Sequence, residues 1–371
     1  MKIFSMPADY RKETIDRYAE LNKVYPDCKL AHTYGNISVS NPFGSGRNIN
    51  KLPPVGMEQL AEYVSYSSSH GIEFHYTLNP SYLQNREFTA EGVKEIKKVL
   101  DQLHEAGVRM LIIAMPSLME LVRSMGDKFQ FKASAICQIT NANKAMFFKR
   151  LGASSMVVDE TINREFDTLL RICDVFGENV QVIVNSICHQ DCQFRMFHYN
   201  QISGDSVSAF NEVSGAYYPM RCGMRMYEDL SSCFKTTWVR PEDLHYYREV
   251  GVQSFKLQGR AWVLTGDPIR AVESYFKEHY DGDLKHLLWL FAPNDQFRLN
   301  LDNRLLDGFL KPFFDQPGFC HRDCSVCDYC EQWARKCFGD ETARKTAQGA
   351  VAMIKQLDPF RRMIEALPGK Q

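Results

Sequence analysis

From residue 1 to about 265, short apolar runs rich in β-branched and aromatic residues alternate with amphipathic stretches, which is the pattern of repeated βα units. Eight runs read as strands: Lys2–Met6, Lys29–Thr33, Ile72–Leu78, Met110–Met115, Phe131–Ile136, Ser155–Val158, Val180–Asn185 and Ser254–Leu257. Between them lie helix-like segments such as Thr89–Ala106, whose Val93, Ile96, Val99, Leu100 and Leu103 recur with a period near 3.6. Eight strands with seven crossovers predict a TIM-type (β/α)8 barrel rather than an open doubly wound sheet. Both folds put functional loops at the carboxyl ends of the strands. The seventh connection, residues 186–253, is far longer than an ordinary βα loop, and its four cysteines point to function.

Beyond about residue 265 the pattern changes to aromatic-rich helical segments, then Pro312, Pro317 and cysteines between Cys320 and Cys337, which reads as a helical C-terminal extension over 266–371. Its last segment, Asp340–Ala366, is charged and amphipathic, with Ala350, Met353, Ile354 and Leu357 as an expected docking stripe.

Composition narrows the class. With 44% hydrophobic and 24% charged residues the 371-residue chain is globular, and 44 basic against 45 acidic residues leave no global field toward nucleic acid or an anionic membrane. The N-terminal apolar stretch is too short for a signal h-region, and no segment approaches the roughly 18 apolar residues of a membrane span, so a cytoplasmic location is expected. In that compartment twelve cysteines point to metal rather than to disulfides.

Two cysteine groups stand out. Cys188-His-Gln-Asp-Cys192 follows the seventh strand, with Cys222 and Cys233 later in the same loop; convergent thiolates there suit a soft metal site, against the plainer account of buried core thiols. Cys320-x3-Cys324-x2-Cys327-x2-Cys330, with Cys337 beyond, suits either a tetrahedral zinc or an iron–sulfur cluster, and spacing does not choose. Cys28, Cys137 and Cys173 read as core packing.

Polar residues at strand ends form a third group: Asn79, Ser134, Asp159, Glu160, Asn185, Lys256, Gln258 and Arg260. Lys256 and Arg260 could hold an anionic or carbonyl-bearing group, Arg195 could hydrogen-bond a cluster sulfur, and Glu160 or His198 could handle protons. Phe43-Gly-Ser-Gly-Arg47 is a glycine-rich turn without the Walker pattern, and neither an H-E-x-x-H motif nor a G-x-S-x-G elbow occurs.

Lys132-Ala-Ser-Ala-Ile-Cys-Gln-Ile-Thr-Asn141, Phe148-Lys-Arg-Leu-Gly-Ala153 and Val157-Val-Asp-Glu-Thr161 resemble, in order, motifs of the collagenase-like peptidase family, peptidase family U-32. Trp238-Val-Arg-Pro-Glu-Asp-Leu244, Gly251-Val and Phe255-Lys-Leu-Gln-Gly-Arg260 resemble that family's block at the last barrel strand. The resemblance implies a divergent subgroup related to iron–sulfur proteins that hydroxylate without oxygen, acting on RNA bases or a ubiquinone-precursor ring. It also implies a 4Fe-4S cluster with Cys188, Cys192 and Cys222 as ligands and a fourth from Cys233 or the C-terminal group. The chain departs from the pattern at Asn185-Ser-Ile-Cys188, at Asp159 in place of an arginine, and at Gln258 in place of a glutamate.

The expected function is therefore redox modification, foremost oxygen-independent hydroxylation, of an RNA base, an aromatic or prenyl precursor, or a peptide. The expected cofactor is one 4Fe-4S cluster or two, with zinc as the alternative at Cys320–Cys330, and an electron donor or related subunit as partner. The rival readings are a metal-dependent peptidase and a non-catalytic electron-transfer or complex-forming protein.

Overall fold

Each of the eight apolar runs becomes a strand, because each is short, rich in β-formers and buried on both faces. The computed structural model describes residues 1–206, 217–293, 299–339 and 341–356. In chain order the first elements are β1 (Lys2–Pro7), α1 (Lys12–Val24), β2 (Cys28–Gly35), α2 (Met57–Ser69), β3 (Glu73–Leu78), α3 (Ala90–Glu105), β4 (Met110–Ile113) and α4 (Pro116–Arg123). Then come β5 (Gln130–Ala133), α5 (Ala142–Leu151), β6 (Ser155–Val157), α6 (Phe166–Phe176) and β7 (Val180–Ile183). The long seventh connection carries α7 (Arg195–Asp205), α8 (Tyr217–Glu228) and α9 (Leu244–Glu249) before β8 (Ser254–Lys256). The remainder holds α10 (Pro268–Phe276), α11 (Leu284–Leu288), α12 (Lys311–Asp315), α13 (Tyr329–Cys337) and α14 (Glu341–Gln356).

All neighbouring strands pair in parallel, and β1 closes on β8 with Ile3 opposite Ser254 and Ser5 opposite Lys256, so the sheet is a closed eight-stranded barrel. The expected TIM-type fold is what the chain adopts. Helices cover the strands through stripes of the kind read in α3, where the Thr89 side chain caps the first turn and Ile96, Leu100 and Leu103 are buried. The eighth covering helix, α10, lies past the boundary expected at 265: Phe276 and Tyr275 pack on Phe4 of β1 at 5.0 and 6.5 Å between ring centroids.

Strand alternation divides the barrel into an apolar shell and a polar lumen. Phe74 packs outward against Tyr63 of α2, and Phe255 joins the shell beside Phe4. Inward, Gln181 bridges Ser5 and Ser254, accepts from Lys132 at 3.4 Å, and Lys256 places its ammonium 4.0 Å from the Tyr34 ring centroid. Barrel interiors are usually layered with Val, Ile and Leu. Here much of the interior is lined by groups that can bind.

The C-terminal part folds back onto the seventh connection. Phe309 packs on Phe234, Trp238, Phe313, Tyr329 and Trp333, tying α12 and α13 to that loop. Helix α14 docks on α8, with Ala347 buried and Ala350 and Ile354 half-buried, whereas Met353 points to solvent. Met353 therefore leaves the expected stripe, because a helix turns its apolar face through Ala343, Ala347, Ala350 and Ile354 instead. Leu357 and the rest of the expected segment lie outside the described residues.

Candidate functional site at the carboxyl mouth of the barrel

Helix α7 crosses the mouth because two loop backbones hold it there. Ser206 accepts from the Ser45 backbone N–H at 2.8 Å, and Ser203 accepts from the Ser81 backbone N–H at 2.9 Å. The glycine-rich turn packs close to β3 and β5, where a Cβ at Gly46 would lie 2.8 Å from the tip of the Ile136 side chain and 3.3 Å from Asn79. The turn thereby carries Arg47 to the mouth, where its Nη2 reaches the Gln258 carbonyl oxygen Oε1 at 3.4 Å.

Cys188 and Cys192, just ahead of α7, come together with Cys222 of α8. Cys222 and Cys192 are hydrogen-bonded through their side chains, which pulls the Cys192 thiol down to about 6 and pushes that of Cys222 up; burial pushes Cys188 up to about 11. Among the described residues no three cysteine sulfurs lie within 4.8 Å of one another, so the thiols are not gathered as they would be around a single ion. Cys233 lies farther along the same connection. It lines an apolar cavity of about 60 Å³ with Met226, Trp238, Leu288 and Phe338, and burial raises its thiol to about 12. The aromatic residues just after it, Phe234 and Trp238, draw it into the core.

Arg195 holds the Cys188–Cys192 segment in place. Its Nη1 donates to Asp159 at 2.7 Å and to Glu160 at 3.1 Å, and its Nη2 donates to the His189 carbonyl at 2.9 Å. Burial works against the Arg195 cation, but Glu160, Cys188, Tyr199 and Asp159 around it outweigh that and raise its pKa; burial raises Glu160. Glu160 is thus engaged in an ion pair rather than free at the mouth, and Arg195 reaches carboxylates and backbone. His198 stacks near Tyr218 and is lowered to about 4 by burial, then by Arg47 and Lys51.

On the opposite wall the cations have no carboxylate partner among the described residues. Arg260 is buried and donates from Nη1 to Asn36 and Thr77 at 2.6 Å and to Ser45 at 3.2 Å. Burial, with Arg47 beside it, lowers Arg260 to about 9; burial also lowers Lys256, with Lys132, Arg260 and Arg47 adding to the effect. The remaining strand-end residues mostly weld the mouth together: Asn185 binds the backbone of Gln258 and Leu288, and Asn79 donates to Ser134 at 3.4 Å.

The second cysteine group sits apart from the first. Cys320, Cys324, Cys327 and Cys330 line one cavity of about 70 Å³, whereas Cys337 at the end of α13 packs with the core. Cys28 and Cys137 donate to backbone carbonyls, at 3.7 Å for Cys28 and at 3.3 Å for the closer contact of Cys137, in keeping with structural roles. Two features had no sequence signal of their own. Arg47 lay in a turn without a phosphate-binding pattern, and His32, Glu73 and His75 meet at the amino end of the barrel only because β2 and β3 pair with His32 opposite Glu73. Those three are the tightest metal-competent group among the described residues.

Three comparisons bear on this arrangement. The sequence profile of peptidase family U32 matches residues 51–168. An uncharacterized protease of Methanocaldococcus jannaschii is 27% identical over 334 residues, covering 90% of this chain and 97% of its own length. The solved structure of a U32 peptidase covers 70% of this chain and 93% of its own, with a TM-score of 0.52 at 18% identity, a likeness of fold.

Proposed function

From the match to peptidase family U32 over residues 51–168 we propose that the chain is a member of that family and an iron–sulfur barrel protein that carries out a redox modification at the carboxyl mouth of its barrel. The reaction we favour is oxygen-independent hydroxylation of an RNA base, an aromatic or prenyl precursor, or a peptide. The observation that supports this most is the convergence of Cys188, Cys192 and Cys222 opposite Arg47, Lys256 and Arg260.

The donor set fits such a group: three thiols, two of them in side-chain contact, beside a segment locked by Arg195. When bound, a cluster supplies one-electron chemistry at this mouth. The chain's own residues do the rest. Arg47, Lys256 and Arg260 attract an anionic or carbonyl-bearing substrate, since among the described residues no carboxylate pairs with them. Burial lowers the Lys256 pKa, with Lys132, Arg260 and Arg47 adding to the effect, which eases proton donation from its ammonium. His198, neutral at pH 7, is the mouth's second proton carrier.

Anoxically purified protein should show broad absorbance near about 400 nm together with iron and acid-labile sulfide. Its absence, on a folded and reconstituted chain, would end the cluster reading.

A second reading, a metal-dependent peptidase, is favoured by the relative described as a protease and by the His32, Glu73 and His75 group, whose side-chain types match those of catalytic zinc sites. That group sits at the amino end of the barrel, away from the face where such folds do chemistry. Peptide cleavage that survives iron removal but fails in His75→Ala would establish it.

A further inference from the structure

We infer that Cys320, Cys324, Cys327 and Cys330 hold a second metal centre, a four-thiolate iron–sulfur cluster, with Arg164 as its buried counter-charge. The four residues surround one cavity of about 70 Å³, which they share with Phe313, Phe319 and Tyr329. Spacing in the sequence left zinc and a cluster equally open; geometry separates them. Thiolates around one zinc, with Zn–S near 2.3 Å, stand about 3.8 Å apart. No three cysteine sulfurs among the described residues come within 4.8 Å of one another. Thiolates of a cluster hang from separate irons around a core that itself needs room, and these four line one shared cavity.

Charge is the second, independent observation. Arg164 is 5% exposed, yet among the described residues none of its contacts is a carboxylate. Its two terminal nitrogens donate to the Phe234 and Thr236 carbonyls, its Nε has no partner, and its guanidinium lies over Trp238, Phe309 and Phe313 at 4.9, 4.8 and 5.5 Å. A buried cation without an anion is costly. Phe313 is shared between this stack and the cysteine cavity, and Cys330 and Cys320 are among the acidic groups that act on Arg164. A cluster held by four thiolates is anionic, and bound there it would supply the charge that Arg164 lacks.

The cysteine segment is fastened to the loop that carries the mouth thiols. Arg322 pairs with Glu165 and, at 2.7 Å, with Asp191, and Cys320 lies 3.9 Å from the Gln190 side chain. The inference does not rest on the mouth reading, since the four thiols have a cavity of their own.

The test uses the full chain, reconstituted anoxically with ferrous iron and sulfide. Cys324 and Cys327 are exposed, so Cys324→Ser/Cys327→Ser should fold normally. The double variant should lose about half of the iron and sulfide and one of two paramagnetic signals on reduction, while Cys188→Ser/Cys192→Ser loses the other half. Unchanged iron in the first variant, loss of all iron in it, or zinc without sulfide at these thiols would each overturn the second cluster. If only the Cys188/Cys192 variant leaves the iron untouched, the mouth reading fails and this one stands. Arg164→Met should shift the surviving tail signal to a more negative reduction potential and Arg164→Lys should not; equal potentials in both would remove Arg164 from the proposal.

Discussion

Arg195 donates to Asp159 at 2.7 Å, joining the first turn of α7 to the end of β6 in a place where both side chains are less than a tenth exposed. Glu160 shares the same guanidinium nitrogen, so one cation serves two buried carboxylates. Arg195→Met should therefore destabilise the chain by about 3–5 kcal/mol, because it strands charges rather than merely removing a contact. Urea unfolding of Arg195→Met beside the same variant carrying Asp159→Asn and Glu160→Gln checks this: the triple change should recover part of the loss.

Lys256 is held against its own ionisation. Burial lowers its folded pKa below the unfolded value, so the fold is penalised where the unfolded chain is protonated and the penalty fades as pH rises toward about 10.4. Lys256→Met should raise stability at pH 7, with the gain shrinking by pH 10, and should abolish turnover of any substrate the mouth accepts. Thermal unfolding at both pH values, with a substrate-binding assay, distinguishes a binding lysine from a filler.

At the amino end, burial depresses His32 to about 2 and drives His75 down as well, with Lys132 adding to both. Their unfolded value is near about 6.5, so their contribution is complete above that pH and is lost as pH falls below it. His75→Gln should flatten the fall in stability between pH 7 and pH 4.5, and an unchanged slope would exclude the two histidines as its source.

On α14, Ile354→Ala should cost about 1 kcal/mol and loosen the helix from α8, whereas Met353→Ala should change stability by less than about 0.5 kcal/mol. Amide exchange in Glu341–Gln356 reports the difference.

Among the thiols, Cys222→Ser should lower iron content as Cys192→Ser does, while Cys137→Ser should leave it unchanged, because Cys137 spends its thiol on the Ile113 and Ala114 carbonyls. Iron and sulfide assays on the three variants suffice.

The barrel was legible because each strand is signalled locally. Met110-Leu-Ile-Ile113 and Val180-Gln-Val-Ile183 can bury both faces only inside a covered parallel sheet, and eight such runs separated by helices leave few alternatives. Helix α10 was assigned to the extension because it shares the aromatic richness of the C-terminal segments, and only its packing on Phe4 makes it part of the barrel. Cys188 and Cys192 were legible as a pair from their spacing at a strand end. Cys233 was grouped with them by proximity in sequence, and it lines the apolar cavity that also contains Ile187 and Trp238.

The chain by itself thus determined the barrel, a resemblance to peptidase family U32 and the presence of two cysteine groups, since strand burial, motif order and thiol spacing are written within short stretches. Tertiary structure decided which charges meet those groups. Arg47 reaches the mouth through a glycine turn held by Asn79 and Ser206, Arg195 finds Asp159 across a barrel connection, and Arg164 is buried beside thiols far along the chain. Partners so distant in sequence are selected by barrel closure and by the fold-back of the C-terminal part, and neither is encoded in any local period of the residues.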